Sequence, residues 1–176
     1  MSLEIRAAVP DDAATLAEIA AATFPLACPP STTTESIAAF IAENLSEASF
    51  DGYLADPERS LVLAFVDGRV AGYTMIIFGE PTDPDVVSAI SLHPTAELSK
   101  VYVAAGHHGA GIAQALVETS VNAAIERGVL GMWLGVNQEN ARANRFYEKS
   151  GFVRVGTKRF YLGGHYEHDF VRERTL

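Results

Sequence analysis

The spacing of apolar residues changes period several times along the chain, and each change predicts an element. Leu16, Ile19, Ala20 and Phe24 recur at three- and four-residue intervals. That predicts a helix after Ile5-Arg6-Ala7, capped by Asp11 or Asp12. Cys28-Pro29-Pro30 interrupts it, and Thr32 with Glu35 has capping-box spacing ahead of Ile37, Phe40, Ile41 and Leu45, a second helix. From Ser60 the period shortens. Leu61 to Val66, Asp67-Gly68 and Arg69 to Phe78 read as a β-hairpin with a two-residue turn. The stretch from Gly79 to Pro94 is looser, with a short strand expected near Val86 to Leu92.

Glu97 to Ala104 alternates as a strand, and Gly109 to Arg127 turns helical, with Ile112, Leu116 and Ala123 as core candidates and Gly128 as terminator. Met132 to Val136 is a further strand, on which Trp133 belongs to the core. Asn140 is placed to cap a helix running to Ser150, with Gly151 beyond its end. Phe152 to Thr157 and Phe170 to Arg172 supply closing strands. The order predicts a mixed α+β sheet, not a doubly wound parallel one. With no repeat, linker or composition shift, residues 1–176 are expected to form a single domain.

Charge narrows the partners. Lys and Arg number 13 against 22 Asp and Glu, a formal net charge of −9. That argues against a general nucleic-acid binder, which needs a basic surplus, and favours cationic partners. The longest apolar runs are a few residues, far from the roughly 20 that span a bilayer, and the first residues lack a secretory pattern. A cytoplasmic protein without membrane association is the expectation. Cys28 is the sole cysteine, which excludes an internal disulfide, and His107, His165 and His168 lack metal-site spacing, so no metal is expected.

Two stretches carry chemistry. In the first, Val101-Tyr102-Val103 runs into His107-His108-Gly109-Ala110-Gly111-Ile112-Ala113, a strand entering a glycine-rich turn that opens a helix. First-turn N–H groups of a helix lack internal partners and sit at the positive end of its dipole, so small residues there let a diphosphate approach the backbone. A tight turn with no ligand explains the glycines as well. A P-loop would place Lys-Ser/Thr where Ile112-Ala113 stands, and a dinucleotide fold would place the turn early in a parallel array. The second stretch runs from Asn137 to Phe152, and Asn140, Ala143 and Tyr147 fall on one helical face. Those residues could line a groove, or simply cap, pack and half-bury.

Together the two stretches resemble the GCN5-related N-acetyltransferase (GNAT) superfamily. The family's Gln/Arg-x-x-Gly-x-Gly/Ala motif aligns with His108 to Ala113, with His108 in the Gln/Arg position. Its Asn-x-x-Ala-x-x-Phe/Leu-Tyr-Glu-Lys-x-Gly-Phe motif aligns with Asn140 to Phe152 without insertion. Ile5-Arg6, Asp11-Asp12-Ala13 and the Asp67-Gly68 hairpin follow in the family's order, so the resemblance covers about residues 4 to 157. Phe160-Tyr161-Leu162-Gly163-Gly164 with His168-Asp169-Phe170 is similar to the end of bacterial polyamine (spermidine/spermine) acetyltransferases.

The resemblance implies a mostly antiparallel sheet with a V-shaped splay between its two central strands, and acetyl transfer from acetyl-CoA to an amine. It implies that Val101, Tyr102 and Val103 hold the pantetheine arm, with the Val103 N–H a candidate donor to the thioester oxygen. His108, Gly109, Ala110, Gly111, Ile112 and Ala113 would hold the diphosphate, with Asn140, Ala143 and Tyr147 along the cofactor. His108 is expected to weaken or retune that binding. Tyr147 is the candidate acid for the departing thiolate, and Glu97, directly or through water, the candidate base, with a solvated strand-end charge the plainer alternative. His93 is the second candidate base.

The acceptor implied is a small cationic or polyamine-like amine. Acidic stretches Glu80 to Asp85 and Asp51 to Glu58, if not plain solvated loops, would flank its cleft, and Phe50 and Tyr53 would line it or pack as core. A protein or peptide amino group is a second acceptor class, and a catalytically silent acyl-CoA-binding sensor an alternative of another kind. The family likeness also admits a homodimer.

Overall fold

A computed structural model describes residues 1–108 and 111–176. Its strands are β1 (Leu3–Ala7), β2 (Arg59–Val66), β3 (Arg69–Phe78), β4 (Thr95–Val103), β5 (Gly131–Asn137), β6 (Val153–Leu162) and β7 (His165–Thr175). Its helices are α1 (Ala13–Ala27), α2 (Thr34–Asn44), α3 (Glu47–Ala55), α4 (Pro84–Ala89), α5 (Ile112–Glu126) and α6 (Ala141–Lys149). The strands form one seven-stranded sheet in the order β1-β2-β3-β4-β5-β7-β6. Only β4 and β5 run parallel; every other neighbouring pair is antiparallel. The expected mixed, mostly antiparallel α+β sheet flanked by helices is therefore observed.

The Asp67-Gly68 turn forms as expected, with both residues at positive φ (49° and 82°), as a tight two-residue hairpin requires. α5 packs on one sheet face, its Ile112 and Leu116 over Val62, Ala64 and Val103, continuing into a cluster of Ile76, Leu98, Val121, Met132 and Phe152. α1, α2 and α3 cover the opposite face, where Leu16, Phe24, Phe50, Leu63 and Tyr73 are buried. Phe50 is thus core, and the Tyr53 hydroxyl donates to the Asn44 carbonyl at 2.8 Å; neither lines the cavity described below. Trp133 is buried beside Val86 and Ile90, as expected of a core residue.

Several local expectations are corrected. The Val86–Leu92 segment is not a strand: α4 occupies Pro84–Ala89, because Asp83 accepts from the Asp85 N–H and Pro84 sits in the first turn. Thr33, not Thr32, caps α2 through the Ser36 N–H. Asp12 precedes α1 without side-chain capping. Its carboxylate instead accepts two bonds from Arg6 (2.8 and 2.9 Å) and one from the Val9 N–H, and the guanidinium holds it below the usual carboxylate range. α3 was not foreseen; its signals are Ser46, which caps through Ser49, and the helical spacing of Phe50 and Tyr53. The closing strands also run further than expected, meeting in a tight turn where Gly163 and Gly164 adopt φ of +65° and +85°.

Candidate functional site

The site originates in the one parallel pairing of the sheet. β4 and β5 are in register only at Thr95–Gly131, Ala96–Met132 and Glu97–Trp133, after which both strands run on unpaired with each other. The gap opens toward Val103 on one side and Asn137 on the other. Gly72 lies opposite Val103, and the Ala104 N–H donates to the Ala71 carbonyl at 2.8 Å. In an antiparallel ladder this makes Gly72–Val103 a non-bonded pair, so Val101 and Val103 turn their N–H and C=O groups away from β3, into the gap. A strand edge inside the sheet is thus left open to hydrogen bonding, apart from the Val103 carbonyl, which is taken by His108. Tyr102, by contrast, exchanges its backbone bonds with Tyr73, since pairs alternate along the ladder.

A bulge decides which side chains enter from β4. Lys100 pairs with Met75 and Leu98 with Ile76, leaving Ser99 as an extra residue. The extra residue shifts the alternation by one. Ala96, Leu98 and Val101 pack on the α5 side, while Glu97, Lys100 and Tyr102 share the other face. Gly72 accommodates the close approach of these strands, since a Cβ there would lie 2.7 Å from the Tyr102 carbonyl oxygen.

A cavity of about 650 Å³ passes through the gap. One end is formed by Val101, Val103, His108, Gly111, Ala113, Asn140, Ala143 and Tyr147, a set foreseen in the sequence. Gly111 adopts φ +77° at the start of α5, a left-handed conformation that favours glycine. Ile112 is buried in the core, so only its backbone is available to this end. Gly109 and Ala110 lie outside the described residues. Asn140 caps α6, accepting from the Ala143 N–H at 3.1 Å, and Asn144 and Arg172 fasten the same helix to Asn137 and to the Phe152 carbonyl. Tyr147 is thereby held between Phe146 and Phe152, and burial pushes its phenol well above the ordinary value.

His108 bridges two elements of this end. One ring nitrogen, Nε2, lies 2.9 Å from the Val103 carbonyl oxygen, and Nδ1 lies 2.9 Å from Arg142 Nη1. The carbonyl can only accept and the guanidinium only donate, so the contacts fit a neutral ring with its proton on Nε2. The departure from the family's Gln/Arg is thus a tie between the β4 edge and α6.

The other end is charged and aromatic. Phe24, Phe40 and Phe160 form a wall, with Phe24 and Phe40 stacked at 4.5 Å and Phe160 edge-on at 5.9 Å. Tyr102 belongs to this wall through its ring, stacked on Tyr73 at 5.8 Å. Glu97 stands at the base of the gap, not in bulk solvent; burial raises its carboxyl, against the opposing influence of Lys158, Lys100 and Arg59. Burial likewise lowers the Lys100 ammonium, with Arg59 acting in the same direction. Lys158 and Asp169 approach to 3.9 Å across Gly135, where a Cβ would lie 3.2 Å from Lys158 Cδ. Burial pushes the Cys28 thiol up to about 11, so it stays protonated at neutral pH.

Other expected contributors lie elsewhere. His93 is exposed and paired with Glu80 at 2.7 Å, away from the cavity. Neither acidic stretch flanks the cavity: Asp83 caps α4, while Asp56 and Glu58 pair with Arg59 and Arg127. Of the charges that do line it, Glu97 was foreseen, while Lys100, Arg142, Lys158, Glu167 and Asp169 were missed. The strand alternation gives no hint of Lys100, because the bulge reverses it. Among the described residues, no three His, Cys, Asp or Glu gather as a metal site, and no helix is long and apolar enough to cross a membrane.

The sequence profile of the acetyltransferase (GNAT) family matches residues 15–152. The chain belongs to that family. Like others named for the chemistry, it is an N-acetyltransferase: an uncharacterized N-acetyltransferase of Mycobacterium tuberculosis is 48% identical over 165 residues, covering 94% of this chain and 98% of that one. Streptothricin acetyltransferase of Streptomyces lavendulae is 33% identical over 110 residues, or 62% of this chain and 52% of the relative. Among solved structures, the PaiA N-acetyltransferase of Thermoplasma acidophilum in complex with coenzyme A superposes with a TM-score of 0.80. It is 22% identical, with all of both chains covered, and shares the fold of this acetyltransferase.

Proposed function

We propose that residues 1–176 act as one domain, moving an acetyl group from acetyl-CoA to the primary amine of a small molecule by direct attack within a ternary complex. The observation that carries this reading is that the open β4 edge, the Tyr147 phenol and the Glu97 carboxyl share one cavity. Acetyl-CoA supplies an activated acetyl thioester. The cavity suits such a ligand: Val101 and Val103 offer backbone groups to an amide-bearing arm, and the start of α5 at Gly111 offers free N–H groups to a diphosphate. The Val103 N–H is our candidate donor to the thioester oxygen.

Most amines are protonated at neutral pH, so a proton must leave before attack. Glu97 takes it, directly or through water, and a carboxyl raised by burial is better matched to that task than an ordinary one. Tyr147 donates to the departing sulfur; burial disfavours the phenolate and keeps this group in its protonated form. The cationic acceptor expected from composition is supported locally by Glu97, Glu167 and Asp169, not by the surface loops. A polyamine-like acceptor is the second reading, favoured by the same carboxylates and the aromatic wall.

A coenzyme A release assay across amines and peptides tests the proposal. Amine-dependent thiol release with acetylation of a small acceptor is expected. Release with peptides alone would move the acceptor to a protein amino group. Binding of acetyl-CoA without release for any amine or peptide would make the protein a silent sensor, and absence of binding would overturn both readings. Sedimentation at micromolar concentration tests the homodimer that the family likeness suggests.

A further inference from the structure

The acceptor end of the cavity presents two ammonium groups besides its carboxylates. Lys100 lines it from the sheet floor, and among the described residues no carboxylate comes within 4 Å of its Nζ. Among the described residues Lys158 has one carboxylate within 4 Å, Asp169 at 3.9 Å, and its ammonium lies 5.7 Å from the centre of the Phe160 ring; the Lys158 and Asp169 side chains are largely withdrawn from solvent (15% and 11% exposed). A buried ammonium is costly unless paired and hydrogen-bonded. Lys100 illustrates the cost: burial disfavours its charge, and Glu97 only partly offsets it. The Ser99 bulge holds Lys100 on this face, and the absence of a side chain at Gly135 makes room for Lys158.

We propose, resting on the acetyl-transfer reading above, that the acceptor carries an anionic group as well as its amine, with Lys100 as the principal receiver of that anion and Lys158 as its support. A carboxylate is the simplest such group, which makes small amino acids the acceptor class. The amine then lies toward Glu97 and the carboxylate toward the lysines. A bare polyamine would instead set its cationic centres against both ammonium groups.

Matched acceptors differing only in the carboxylate isolate this feature: lysine against cadaverine, ornithine against putrescine, arginine against agmatine. With acetyl-CoA saturating, coenzyme A release is expected to give a kcat/KM about tenfold or more higher for the amino acid in at least one pair, as one well-placed charge-assisted bond can supply. In Lys100→Gln that ratio should fall toward one through loss on the amino acid, and Lys158→Gln should reduce it less. Acetyl-CoA affinity and thermal melting verify that each variant is folded. A decarboxylated amine preferred or equalled in every pair, or a ratio unmoved in both folded variants, overturns the inference while leaving the transferase reading intact. Absence of thiol release from both members of every pair, and from all other amines and peptides, overturns the transferase reading itself and the inference with it.

Discussion

The two ends of the cavity are built from different materials. The end facing Val101, Gly111 and Asn140 consists of backbone edges, small side chains and a cap; the end facing Glu97, Lys100 and Lys158 consists of buried charges and stacked rings. Backbone groups bind whatever presents amides and phosphates, and they depend little on which side chains surround them. Charged side chains in a confined space discriminate, because each is costly unless its ligand matches. The contrast explains how a protein with a net charge of −9 could hold an anionic cofactor: fixed dipoles at the gap would do so, leaving the charged residues to select the acceptor.

Substitutions should separate the two ends by what they change. The largest effect is expected from Tyr147→Phe, which removes the proposed acid: kcat falls on the order of tenfold or more, with little change in acetyl-CoA affinity by calorimetry. An unchanged kcat would remove Tyr147 from the chemistry. Glu97→Gln should act through pH. As the proposed base, Glu97 would act as its carboxylate, so the rate should rise as pH climbs through its burial-raised pKa, and the acid limb of the kcat/KM profile should lie above the usual carboxylate range. In Glu97→Gln that limb should vanish and kcat/KM at neutral pH fall about tenfold. A limb that persists would point to another base.

At the cofactor end the expected changes are smaller and of another kind. Gly111→Ala forces a side chain into the left-handed region (φ +77°), costing about 1–2 kcal/mol, and should lower the melting temperature and weaken acetyl-CoA binding together. His108→Ala removes both hydrogen bonds through which the ring bridges the Val103 carbonyl and Arg142, each worth about 0.5–1.5 kcal/mol. Calorimetry should show it as a loss of acetyl-CoA affinity of about tenfold or less. If His108→Ala instead shifted the choice among acceptors, the division between the ends would not hold.

The same division governs what could be read from the sequence. The cofactor end rests on contiguous stretches, His108 to Ala113 and Asn140 to Phe152, in which spacing alone places residues on one turn or one helical face. The acceptor end is assembled from α1, α2, β4, β6 and β7, which no local pattern joins. Lys100 faces it only because of the bulge at Ser99, and Lys158 and Asp169 meet only because the β6–β7 hairpin extends to Gly163-Gly164. The alternating strands and long helices were legible because burial of one face imposes a period. The short α4 was not, because the apolar run Val86-Val87 suits a strand as well as a helix until the cap at Asp83 decides.

A crystal structure with bound coenzyme A tests the central claim most directly. The pantetheine amides should pair with Val101 and Val103 along the open β4 edge, the diphosphate should meet the start of α5, and the sulfur should lie beside the Tyr147 hydroxyl. Coenzyme A bound outside the gap between β4 and β5, or with its sulfur remote from Tyr147, would contradict it.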